Sequence, residues 1–139
     1  MKIRNELKFI FFTFSFLCVA CCAVVSKIQK SGNFHILIPN VAYRSGQLGR
    51  EDFEDKLSAS RLIPTTELLN ILEIIKQAPK PILIHCHGGA DRTGLVSAIT
   101  KLALEMTTIP EAKNELSLQY GHFPYFLWNF ARAMDENFN

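Results

Sequence analysis

The apolar positions of this chain fall into one long block and several short ones. Phe9 to Val25 carries no charge, and Lys2, Arg4 and Lys8 stand before it. A basic head and an apolar run of this length lie between a signal-peptide core and a minimal membrane span. Ala20 and Ala23 permit signal cleavage, whereas Cys18-Val19-Ala20-Cys21 makes a poor lipobox because cysteine stands where leucine is expected. Residues 1–25 therefore read as a signal peptide or a membrane anchor, with a lipoprotein leader third and a buried helix as the remaining alternative. In the first three readings the rest of the chain is membrane-anchored or exported, on the periplasmic or extracytoplasmic side.

Beyond the block the pattern changes. Ser26 to Asn33 is polar and reads as a linker, followed by one domain over 34–139. Phe34 to Ile38 is a short apolar run stopped by Pro39-Asn40, the signature of a strand and a turn. Val41 to Gln47 makes a second extended piece. Arg50 to Leu57 is charged, with Phe53 and Leu57 four apart, and predicts a short surface helix whose Glu51, Asp52, Glu54 and Asp55 form a solvated face. Ser58 to Arg61 is a loop.

Pro64 to Gln77 repeats apolar residues at helical spacing, with Leu68, Leu69, Ile71, Leu72 and Ile75 on a broad face. Proline suits a first turn, a threonine can cap it, and Glu67 meets its positive end. Pro81 to His85 predicts a buried strand. Arg92 to about Met106 predicts a helix with Leu95, Val96, Ile99, Leu102 and Ala103 inward. Another helix is expected from Thr108 to near Tyr120, and a last one from Pro124 to Asn137 with Phe126, Trp128 and Phe130 in the core. The fold class is α/β: a small, mainly parallel sheet flanked by helices behind the N-terminal hydrophobic helix. A domain of this size has little core to spare.

Charge narrows the partners. Of the 15 Lys and Arg, three precede the apolar block, as does one of the 13 Asp and Glu, so the remainder is formally neutral. No basic stripe suggests a nucleic-acid partner. Three of the four cysteines lie in the apolar block, leaving Cys86 alone in the domain. That excludes a disulfide framework there and makes Cys86, beside two histidines, a candidate nucleophile.

Candidate chemistry concentrates in His85-Cys86-His87-Gly88-Gly89-Ala90-Asp91-Arg92-Thr93-Gly94, between the predicted strand and the predicted helix. Successive backbone N–H groups and a helix N-terminus favour a thiolate over a thiol, and the same features hold an anion. Glycine at 88 and 89 lets the backbone turn tightly through positive φ and keeps side chains clear of a bound group. The Arg92 fork suits two oxygens of a phosphoryl group. Gly94 lets the helix pack closely.

His85-Cys86, five residues, then Arg92-Thr93-Gly94 resembles the signature loop of the cysteine-dependent protein tyrosine and dual-specificity phosphatases. The Gly89-Ala90-Asp91-Arg92-Thr93-Gly94 ending is similar to their bacterial branch. So are Tyr43-Arg44-Ser45-Gly46-Gln47, Ser58-Ala59-Ser60-Arg61 and Leu116 to Phe123. The resemblance implies a phosphomonoester hydrolase working through a cysteinyl-phosphate, with a phosphorylated protein or a small phosphate ester as partner and no metal or cofactor. It implies Cys86 as nucleophile, Arg92 as phosphate clamp and Thr93 as the hydroxyl assisting sulfur departure. His85 would orient the loop, and His87, Gly88, Gly89, Ala90 and Asp91 would form the cradle with Arg92.

One departure from the family pattern stands out. The stretch between Gln47 and Cys86 is short, as though an internal segment carrying strands and an aspartate general acid were missing. Such an acid is worth roughly 10²–10⁴-fold. Asp52, Asp55 and Asp91 are the aspartates to consider, with Asp91 nearest, and none is assigned the role. A degenerate member that binds phosphate without turnover is the alternative function. A rhodanese-like sulfur carrier fits the spacing and the Arg-Thr-Gly ending less well. A metal site using His85, His87 and His122 or His35 matches no structural zinc spacing. His122 is expected in a helix-to-helix corner, and Tyr43 and Arg44 either line the site or merely end a strand.

Overall fold

The computed structural model describes residues 2–47, 61–105, 107–124 and 131–139. Nine segments of regular structure lie among them. Helix α1 runs from Lys2 to Lys30, and the hairpin strands β1 and β2 are His35–Ile38 and Ala42–Gly46. Helix α2 is Thr65–Gln77, strand β3 is Ile82–Cys86 and helix α3 is Asp91–Glu105. The short helix α4 is Ile109–Lys113, a 3-10 turn covers Leu118–Tyr120, and α5 is Arg132–Phe138. The surface helix expected at 50–57, the loop residues 58–60 and the aromatic residues 126–130 lie outside the described residues.

The sheet is small, in the order β1-β2-β3, and helices flank it, as the sequence pattern implies. Its strand directions differ from the mainly parallel arrangement expected. β1 pairs antiparallel with β2, and β2 pairs parallel with β3. The cause is local: Pro39, Asn40 and Val41 are too few residues for a crossover and suffice only for a hairpin. Asn40 turns the chain at φ 61°, which asparagine tolerates, and Val41 N–H closes the turn on Ile38 O at 3.0 Å. The longer connection from β2 to β3 contains α2, as a parallel pair requires.

Helix α3 is the centre of the domain. It touches all three strands and also α2, α4 and α5. Leu95 is fully buried, as expected, but so are Ser97, Ala98 and Thr100, while Ala103 is exposed. A helix covered on several sides buries more than one stripe, so the amphipathic pattern understates its burial. Thr100 places its hydroxyl on Val96 O at 2.7 Å, which makes that burial tolerable.

Two apolar clusters follow. Leu37, Ile38 and Ala42 pack with Val41, Ile82, Ile84 and Leu104 between sheet and α3. Ile63, Leu95, Leu116, Ala133 and Met134 pack with Leu68, Ile99 and Phe138 on the other side of that helix. Asn137 closes the second cluster. Its Oδ1 accepts from Ile63 N–H at 2.9 Å and its Nδ2 donates to Ile63 O at 2.8 Å.

Several local expectations are corrected. Residues 26–30, read as linker, are the end of α1, and Asn33 is buried. α2 begins after Pro64 with no side-chain cap, and Leu69 on its expected inner face is exposed. β3 is not a buried strand: Ile82, Ile84 and Cys86 are half-buried while Leu83 and His85 are exposed. Among the described strands it pairs only with β2, and α3 covers one of its faces. The helix from 108 stops at Lys113, where Asn114 N–H turns back to Glu111 O and the chain changes to turns.

α1 carries a run, Lys8–Ile28, long and apolar enough to cross a membrane, with a mean hydropathy of 2.4. Among its described residues none is buried within the protein. It is a candidate signal peptide or anchor.

Candidate active site

Cys86 is the last residue of β3, and Asp91 is the first of α3. The loop between them therefore hangs from a strand end on one side and a helix start on the other. Arg92 and Thr93 lie in the first turn of that helix, six and seven residues beyond Cys86. Cys86 is half-buried, on the face that α3 covers, whereas His85 and His87 are exposed. Strand alternation separates them, as the sequence spacing requires. Thr93 is buried at 1% exposure, and its hydroxyl has no hydrogen-bond partner among the described residues.

Three consecutive carbonyls of the loop are tied down from outside it. His87 O accepts from Gln47 N–H at 3.1 Å. Gly88 O accepts from Asn33 Nδ2 at 3.1 Å. Gly89 O accepts from Arg44 Nη2 at 2.8 Å. A planar trans peptide points its carbonyl and the next N–H in opposite directions. Outward carbonyls at 87, 88 and 89 therefore turn the N–H groups of Gly88, Gly89 and Ala90 into the loop. That arrangement can hold an anion, beside the sulfur and at a helix N-terminus. Ala90 O is taken up by Gly94 N–H at 2.9 Å, which starts the helix.

Gly89 turns at φ 69°, and a Cβ there would lie 2.4 Å from Gly46 N. Gly88, expected to share that conformation, does not have positive φ and has nothing within 4 Å of a Cβ. The tight approach thus belongs to Gly89 against the end of β2. Gly46 in turn donates its N–H to Gly32 O at 2.7 Å, bringing a third backbone segment under the loop. The close packing expected of Gly94 is present: a Cβ there would lie 2.8 Å from Glu115 O.

Arg44 is the buried hub of this support. It has no exposed surface, and besides Gly89 O its Nη1 reaches Glu115 O at 2.9 Å and Glu115 Oε2 at 2.6 Å. The Tyr120 ring lies 3.8 Å from the guanidinium carbon. Burial pushes the Arg44 guanidinium below its ordinary pKa, and Glu115, Tyr120 and Cys86 act against that shift. Arg44 thus neither lines the site nor merely ends a strand: it sits buried beneath the loop and holds Gly89 O. Tyr43 points to the other face of the sheet and stacks on Phe34, with ring centroids 5.7 Å apart.

His122 ties the end of the loop to α5. Its Nδ1 lies 2.8 Å from Asp91 Oδ1 and its Nε2 lies 2.8 Å from Asp135 Oδ2. Two carboxylates can both accept only if both ring nitrogens carry protons, which is the imidazolium. Burial disfavours that charge, but the bonds from Asp91 and Asp135 outweigh it and raise the pKa of His122 above its ordinary value. The corner expected for His122 is thus an ion-paired joint. Asp91, the nearest candidate acid, spends one carboxylate oxygen on it. Asp52 and Asp55 lie outside the described residues.

Sequence reasoning did not single out Asn33, Glu115 or Asp135. The Tyr-Arg-Ser-Gly-Gln and Leu116–Phe123 motifs signalled the segments that hold Arg44, Tyr120 and His122. Asn33 stood in an apparent linker and offered no periodic or motif signal.

Residues 65–109 match the family model described as tyrosine phosphatase family. The matched stretch contains α2, β3, the whole loop and α3. Through this segment, about a third of the chain, the protein is tyrosine phosphatase-like, and phosphatase is the enzyme class that the match supports. No curated protein and no solved structure matches the chain.

Proposed function

We propose that this chain is a cysteine-dependent phosphomonoester hydrolase of the tyrosine/dual-specificity type. Cys86 attacks phosphorus and forms a cysteinyl-phosphate as the ester oxygen leaves, and water then hydrolyses that intermediate to phosphate and free thiolate. The inward N–H groups of Gly88, Gly89 and Ala90, with Arg92, hold the phosphoryl oxygens. Thr93 donates to the sulfur as it departs, a task open to a buried hydroxyl with no described partner. The His87 backbone joins the cradle, while the His85 and His87 side chains are exposed on the side of the strand away from Cys86. The observation that carries the reading is the capture of three successive loop carbonyls by Gln47, Asn33 and Arg44.

The substrate is a phosphorylated protein or a small phosphate ester, met at a membrane or beyond it through the apolar helix α1. The decisive experiment is hydrolysis of an aryl phosphate in the presence of a chelator. Turnover by the wild type and its loss in Cys86→Ser is the expected result. No wild-type turnover, or equal turnover by the variant, overturns the reading. The engagement of Asp91 by His122 favours a second reading, a phosphate-binding member with little turnover of alkyl esters. It predicts vanadate binding without hydrolysis.

A further inference from the structure

The Gly88–Gly89 peptide lies between two residues without side chains, and nothing stands within 4 Å of a Cβ position at Gly88. A peptide between two glycines rotates end over end at little steric cost. That rotation would swing Gly88 O to where the Gly89 N–H points, setting a partial negative charge against a bound oxyanion. The hydrogen bond from Asn33 Nδ2 to Gly88 O, 3.1 Å long, opposes the rotation.

The Asn33 amide is itself held in one direction. Nδ2 also donates to Tyr120 O at 2.8 Å, and Oδ1 accepts from His35 Nε2 at 3.1 Å. The side chain is 1% exposed, and the backbone N–H donates to Ile28 O at 3.1 Å. The residue adopts φ 48°, a conformation asparagine takes more readily than most. The two carbonyls beside the amide demand its nitrogen on their side, which leaves Oδ1 to accept from His35.

We propose that Asn33 is a positioning residue of the phosphate cradle: it locks the Gly88–Gly89 peptide with its N–H facing the bound phosphoryl group, which makes the segment leaving α1 part of the active site. The proposal rests on the phosphatase reading above for its reaction, and on the cradle geometry for its binding. It places the residue outside the matched stretch 65–109.

Two variants of the full chain in detergent test it. Asn33→Gly keeps the left-handed backbone and removes the amide. Asn33→Asp keeps the size and the acceptor for His35 but sets an acceptor against the carbonyls of Gly88 and Tyr120. The measurements are thermal melting, aryl phosphate kinetics, and orthovanadate protection of Cys86 from iodoacetamide. Vanadate affinity and kcat/KM should each fall by about tenfold or more, the weight of one lost hydrogen bond at a charged ligand, with at least one variant still melting cooperatively. Wild-type vanadate affinity in a folded variant overturns the proposal. So does loss of cooperative melting in both, which would make Asn33 structural only. If the wild type turns nothing over, the hydrolase reading fails, and vanadate protection still decides the role of Asn33.

Discussion

The guanidinium of Arg44 lies 2.6 Å from the carboxylate of Glu115, and the two side chains are 0% and 5% exposed. Their pairing sits directly beneath the loop, because the same arginine holds Gly89 O. Removing one partner of a buried pair costs about 3–5 kcal/mol when the other charge is stranded, and Glu115 would keep only the partly exposed Lys101 Nζ at 3.4 Å. Arg44→Met should therefore lower unfolding free energy in urea titration by up to about that amount. Arg44→Met with Glu115→Gln should recover part of the loss without restoring vanadate binding, because Gly89 O remains unheld.

The two loop glycines should respond unequally. Gly89→Ala places a Cβ 2.4 Å from Gly46 N in a residue at φ 69°. Left-handed strain of about 1–2 kcal/mol and overpacking of about 1–3 kcal/mol both apply. Its melting temperature and its vanadate affinity should both fall. Gly88→Ala meets nothing within 4 Å and should melt close to the wild type. A comparison of the two thermal melts checks the difference.

His122 predicts a stability that declines toward alkaline pH. Its folded pKa is raised, because the bonds to Asp91 and Asp135 outweigh burial. The contribution is complete below the unfolded value of about 6.5 and is lost as pH rises through the higher folded value. His35 has the opposite sign, since burial first and Arg44 second lower its pKa. Its contribution is complete above about 6.5 and is lost as pH falls through the lower folded value. Unfolding free energy against pH should show the alkaline decline disappear in His122→Gln and persist in His35→Gln.

Leu95 joins α3 to the second cluster and has no exposed surface. Leu95→Ala should cost about 2–5 kcal/mol. Denaturant melts should show that loss with an unchanged m-value. Ala103→Ser on the exposed side of the same helix should change stability by less than about 0.5 kcal/mol.

The sequence carried the loop because its chemistry is contiguous. Cys86, five residues, Arg92, Thr93 and Gly94 declare a strand end, an anion cradle and a helix start within one stretch. α2, β3 and α3 were equally legible, since apolar spacing and flanking prolines are local signals. The strand directions were less so: the hairpin depended on a short turn, whose consequence for pairing outweighed the parallel prior. Asn33 was hidden for a different reason. A polar residue after an apolar helix looks like linker until the chain folds back and gives it Gly88 O and Tyr120 O as partners.

By itself the sequence determined the apolar N-terminal helix, the α/β class, and the identity and order of the residues proposed to face a phosphoryl group. These depend on composition, periodicity and spacing along one segment. Only the tertiary structure decided what holds the cradle open. The Asn33 amide, the Arg44–Glu115 pair and the joint of His122 with Asp91 and Asp135 bring together residues far apart in the chain. Their bonds exist because buried polar groups must find partners wherever the packed chain supplies them.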